Sequence, residues 1–175
     1  MQLGLQLEAT SSDGAFVHEL AEWRPTWNAQ RTLLLTTRIE GSCEGPFHLL
    51  FPEELGWELV KAVSQPEAAL APEGMDATQL EVFKEMMNLL CGSYNSLFGH
   101  LNRALRVSQA EGDLCIHALP ANATLEGDLE HVDRGLAISC TMAQAERSFE
   151  ILQLMPIPLA RAIAQHLTLD PQGAR

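Results

Sequence analysis

Residues 32–63 read TLLLTTRIEGSCEGPFHLLFPEELGWELVKAV, and residues 135–167 read GLAISCTMAQAERSFEILQLMPIPLARAIAQHL. Each stretch opens with a strand-forming run, turns through polar residues, and resumes as a second strand at a phenylalanine, Phe47 or Phe149. Proline then marks a helix start, Pro52 in the first and Pro156 or Pro158 in the second, and an amphipathic helix follows. Proline fits there because the N–H it lacks would have no acceptor in the first turn, and Glu53 and Glu54 suit the positive end of the helix dipole. The strands are expected at Thr32–Ile39, Phe47–Phe51, Leu136–Met142 and Ser148–Leu154, and the helices run from Pro52 to Val63 and from Pro156 or Pro158 to Leu167. Two strand–strand–helix units of one make predict related halves about a pseudo-two-fold axis. The fold class is therefore α+β: a mostly antiparallel sheet with long amphipathic helices packed on it.

Between the two units lies the longest helical pattern in the chain, Thr78 to Leu105, with Asp76 as its N-cap. Leu80, Phe83, Met87, Leu90, Tyr94, Leu97, Leu101 and Leu105 recur every three or four residues and form one core-facing stripe. Beyond it, Leu114–Leu119 reads as a strand closed by Pro120. At the other end of the chain, Leu3–Leu7 reads as a first strand and Ala15–Trp23 as a short helix stopped near Pro25. Gln65 to Gly74, with two prolines, is a loop.

At 175 residues, with 46% apolar and 19% charged side chains, the chain is expected to form one domain over residues 1–175. The formal charge of −12 argues against nucleic acid or anionic lipid as a partner, since both demand a concentrated basic surface. No apolar run approaches the length of a membrane span. The start MQLGLQLEAT lacks the basic and apolar segments of a signal peptide, so a cytoplasmic location is expected. The four cysteines are far apart and are read as reduced and mostly buried. The six histidines show no metal-ligand spacing and are read as surface or boundary residues. There is no G-x-S-x-G elbow and no glycine-rich phosphate loop. Met86 and Met87 read as packing, and Trp23, Trp27 and Trp57 as anchors between the N-terminal elements and the sheet.

Chemistry is carried by the long helix, where residues 81–92 read EVFKEMMNLLCG. Glu81, Glu85, Asn88 and Gly92 are spaced by three or four, which stacks them on one face, nearly opposite the apolar stripe. A carboxylate and an amide on an outer helix face are ordinarily solvated surface. Glycine in mid-helix costs roughly 1 kcal/mol relative to alanine, and such a cost often has a docking reason.

Glu85, Asn88 and Gly92, set in VFKEMMNLLCGSYNSLF, resemble the signature helix of the CheC/CheX chemotaxis phosphatases. In that family an acidic or serine residue, then Glu, then Asn lie on one helix, with a proline after the next strand. Glu81 takes the first place, Glu85 and Asn88 the next two, and Pro120 the last, although the gap from Asn88 to Pro120 is longer than in the family. The single motif is closest to the CheX-like members. The resemblance implies a phosphatase acting on the phosphoaspartate of a CheY-like response-regulator receiver domain. It implies that Asn88 orients the attacking water, Glu85 pairs with the receiver lysine, and Glu81 and Gly92 contribute to docking. It implies no cofactor of the chain's own, the Mg²⁺ coming from the receiver, and it suggests a homodimer. The alternative is a non-catalytic interaction module of chemotaxis or the flagellar switch.

Overall fold

The structure is a computed structural model that describes residues 8–19, 30–64, 71, 73–101, 105–108, 114–121, 134–144 and 147–168. Thr32–Gly41 (β2) and Gly45–Pro52 (β3) form one hairpin and lead into Glu53–Ser64 (α1). Arg134–Gln144 (β6) and Arg147–Pro156 (β7) form the other and lead into Ile157–Thr168 (α3). Glu8–Glu19 (β1) precedes them, and Ala77–Leu101 (α2), Leu105–Val107 (β4) and Cys115–Leu119 (β5) lie between the hairpins. All pairings are antiparallel, in the order β1-β6-β7-β3-β2-β4, with β5 also on β2.

The predicted pseudo-two-fold lies at the β3–β7 seam. Aligning Phe47 with Phe149 makes Leu50 the counterpart of Leu152, and these two face each other across the seam. An antiparallel pair of equivalent strands must meet at such a self-paired position if a dyad passes through it. The helices obey the same relation. α1 reaches the second hairpin, where Arg147 pairs with Glu54 and Glu58 and lies 5.2 Å over the Phe149 ring. α3 reaches the first, where Leu159 packs against Gly45 so closely that a Cβ there would stand 3.1 Å from it.

Strand periodicity gives the sheet two apolar faces. Leu33, Leu35, Leu49, Phe51 and Phe149 join Leu55, Trp57, Phe83, Met87 and Leu159 of the helices in the main core. Leu34, Leu50, Ala137, Leu152 and Leu154 alternate with them and form a second buried cluster on the opposite face. Phe83, fully buried, stands edge-on to Phe51 at 5.7 Å, and its burial contributes about 1.5–3 kcal/mol.

Both ends of α2 are fastened. Asp76 caps it as expected: its Oδ1 accepts the Gln79 N–H at 2.9 Å, and Gln79 Oε1 accepts the Asp76 N–H at 2.9 Å. Near the other end, Asn95 donates from Nδ2 to the Val107 carbonyl at 2.9 Å and accepts the Val107 N–H, so an amide side chain pairs with strand β4. The link between α1 and α2 is a buried carboxylate. Glu53, 2% exposed, takes the Arg31 guanidinium on one oxygen and the Met75 N–H at 2.9 Å on the other. Gly74, at φ 100°, passes so close that a Cβ would come within 2.5 Å of Glu53 Oε1.

Several expectations are corrected. Ala15–Glu19 is strand, not helix: Phe16 and Val17 pair with Ala137 and Leu136, because the outer edge of β6 needs backbone partners and these residue types suit a pleated surface. The remainder of that segment, like Leu3–Leu7, Trp23 and Trp27, lies outside the described residues. The long helix stops at Leu101, and Leu105 instead opens β4 opposite Gly41, buried in the sheet. Among the cysteines only Cys91 is buried; Cys115 is exposed, and Cys43 and Cys140 lie between, all four as free thiols. His48 is no boundary residue: it is 2% exposed on β3, with Nδ1 3.1 Å from Thr36 Oγ1.

Candidate functional site

α2 lies on the sheet by Phe83, Met87 and Cys91, with Leu80, Leu90 and Tyr94 partly buried beside them. The helix turns about 100° per residue, so Glu85 stands nearly opposite Phe83. Glu81 and Glu85 are accordingly exposed, whereas Asn88 and Gly92 are half-buried. The expected single outward stripe is therefore graded: Asn88 is rotated roughly 60° from Glu85 toward the core face and sits on the flank of the helix. Glu85 stands at the crest, with Asn88 on one side of it.

On the other side of Glu85 the helix wall is apolar. Between α1 and α2 lies a groove of about 740 Å³, walled by Leu59 and Val63 of α1 and Met86 and Leu89 of α2, with Glu85 at its edge. Leu89 is 75% exposed and Val63 47% exposed. At the floor, Gln153 of β7 donates to the Tyr94 hydroxyl. Burial, aided by the nearby Cys140 and Cys91, pushes the Tyr94 hydroxyl up to about 12, so it stays protonated at neutral pH. Leu89 was readable in the sequence as a leucine off the apolar stripe, one turn from Glu85 and from Ser93; the groove was not, because α1 supplies its other wall.

Pro120 is exposed and directly follows β5, the strand it was expected to close. The long interval before it has a structural cause. β4 and β5 share the outer edge of β2, β4 on Ile39–Gly41 and β5 on Thr32–Thr36, so the strand position after α2 is filled in two pieces. Among the described residues no group of three His, Cys, Asp or Glu gathers as metal ligands, and no helix is long and apolar enough to cross a membrane.

No protein-family model matches the chain, and no curated protein matches its sequence. Solved structures match its shape. FliY from Thermotoga maritima superposes with a TM-score of 0.78 at 12% identity, covering 95% of this chain and 84% of that one. The FliM middle domain from Vibrio alginolyticus gives 0.63 at 12% identity, covering 94% and 87%. The chemotaxis protein CheX from Vibrio vulnificus gives 0.53 at 12% identity, covering 87% of each. Among the described residues, three helices on a continuous antiparallel sheet are thus an α+β architecture of the CheX-like kind, and this chain has the fold of CheX, FliY and the FliM middle domain.

Proposed function

We propose that this chain is a cytoplasmic chemotaxis module that dephosphorylates the phosphoaspartate of a CheY-like receiver domain. The observation that carries the reading is the placement of Glu85 and Asn88, one turn apart on the outer side of α2 in a CheX-like fold, with Glu85 exposed and Asn88 on its flank. In this reading Glu85 pairs with the lysine of the receiver site, and the approach of Glu81 and Gly92 sets the helix against it. The Asn88 amide, which offers both a donor and an acceptor and does not titrate, orients a water in line with the phosphorus. The water oxygen bonds to phosphorus as the bond to the aspartate oxygen breaks; the water's protons leave with inorganic phosphate, and the receiver's aspartate stays in its chain as a free carboxylate. The receiver brings its own Mg²⁺. Alignment is the whole contribution, and each tenfold of rate requires only about 1.4 kcal/mol off the barrier.

Asn88→Ala should bind a phosphorylated receiver and fail to accelerate phosphate loss, whereas Glu85→Ala should weaken binding itself. Binding without turnover by the wild type would leave the interaction-module reading, for which related shapes offer a context: FliM is solved in complexes with FliG and with SpeE. The CheX-like resemblance also carries a homodimer, and sedimentation of the full chain tests it.

A further inference from the structure

Leu89 and Val63 are the large apolar side chains left exposed among the described residues, and they stand on opposite walls of one groove. They line the same groove, so the two exposures belong to one apolar surface and are not scattered singly. The groove's floor is the face of β3, β6 and β7, strands interior to the sheet order, and a sheet face offers side chains and not backbone groups. Its occupant must therefore bind through side chains. Two helical walls can receive a third helix by the ridges-into-grooves packing that helices use among themselves. Met86 and Met87 line it with flexible thioethers that adapt to an incoming surface. A small molecule on the floor would leave the rim residues Leu89 and Val63 in water, whereas a helix covers both walls.

Charge specifies the occupant further. Among the described residues Glu85 is the one charged side chain lining the groove, and no described cation is paired with it. The chain as a whole carries −12. We propose that the groove between α1 and α2 is the docking site for an amphipathic helix of a partner protein, its apolar face on Val63, Met86 and Leu89 and a lysine or arginine beside Glu85. The site is distinct from the flank that carries Asn88, which does not line the groove. It shares only Glu85 with the phosphatase reading and does not depend on it. A bound helix and a docked receiver compete for that carboxylate.

The test uses the full chain and two labelled synthetic helices of about five turns, each with leucines at i, i+3, i+4 and i+7, flanked by lysines in one and glutamates in the other. Anisotropy is read at about 0.15 M salt to suppress unspecific attraction to an acidic protein. The lysine helix should bind the wild type and lose about tenfold or more with Leu89→Asp or Val63→Asp. Glu85→Lys should reverse the preference toward the glutamate helix, and Asn88→Ala should bind as the wild type does. Binding indifferent to Leu89→Asp and to Glu85→Lys would overturn the proposal. So would dodecylamine binding as tightly as the helix, which would make this a small-molecule site. Dimerisation abolished by Leu89→Asp, with no peptide binding, would assign the groove to a second copy. Failure of turnover with Asn88 intact leaves all of these outcomes readable, since none is scored by phosphate release.

Discussion

Glu53 is the residue on which the placement of α2 turns. It is buried between Arg31 and the Met75 N–H, and it holds the start of α1 to the segment that enters α2. Arg31→Met leaves a buried carboxylate with half its partners. Removing one member of a buried pair typically costs about 3–5 kcal/mol, and the one-third exposure of Arg31 places the expected loss near the lower end. Urea denaturation should show it as a lowered midpoint with an unchanged slope; an unchanged midpoint would mean that water replaces the guanidinium. Tyr94 makes a second prediction. Its folded pKa, about 12, lies above the ordinary value of 10.0, so the fold favours the neutral phenol. The unfolded chain ionises first as pH rises, and this stability is intact below pH 10 and lost between about 10 and 12, on the order of 2 kcal/mol. Tyr94→Phe should remove that part of the alkaline fall, measured as the difference between the two stability–pH curves. The Asp76 cap was readable locally, as Asp followed three residues later by Gln79. The role of Glu53 was not: a glutamate behind a proline reads as a dipole partner, and its burial depends on a residue 22 positions away.

At Gly56, α1 comes close against β2 and α2. Gly56 lies under Leu33 and Phe83, and a Cβ there would stand 2.4 Å from Leu33 Cδ1. Alanine is the better helix former by about 1 kcal/mol, but forcing a methyl into a filled core costs about 1–3 kcal/mol. Gly56→Ala should therefore lower the thermal midpoint even though it raises helix propensity; a raised midpoint would show that Leu33 can give way. The elements themselves were largely legible, because hairpin strands and α1, α2 and α3 announce themselves by periodicity. The failures sit where tertiary pairing decides. Ala15–Glu19 became an edge strand because β6 had an unpaired edge, and Leu105 continued the helical stripe by spacing yet was taken by β2. For the candidate site, periodicity placed Glu81 and Glu85 on the outside. Counted at 100° per residue it also sets Asn88 on the flank, but it could not show that an apolar groove opens on the other side of Glu85.

Across the whole molecule, the two hairpins share a single sheet, and their seam, Leu50 against Leu152, is buried in the second apolar cluster. Halves joined through a common core unfold together, so far-UV circular dichroism and tryptophan fluorescence should give coincident urea transitions; separated transitions would mean that the halves are independent. The internal repeat was visible in the sequence because Phe47 and Phe149, with the prolines that follow them, sit at matching places in both units. Its dyad could be located only from the register. The fold it builds lays the core stripe of α2 on the sheet, with Glu85 exposed and Asn88 half-buried on the flank. The most direct test is phosphate loss from a purified phosphorylated CheY-like receiver, followed with and without this chain and with Asn88→Ala. The account predicts that the wild type accelerates decay and that Asn88→Ala, with an unchanged circular dichroism spectrum, loses on the order of a hundredfold of that acceleration. Decay equally fast with Asn88→Ala, or no acceleration by the wild type of any receiver it binds, would contradict it.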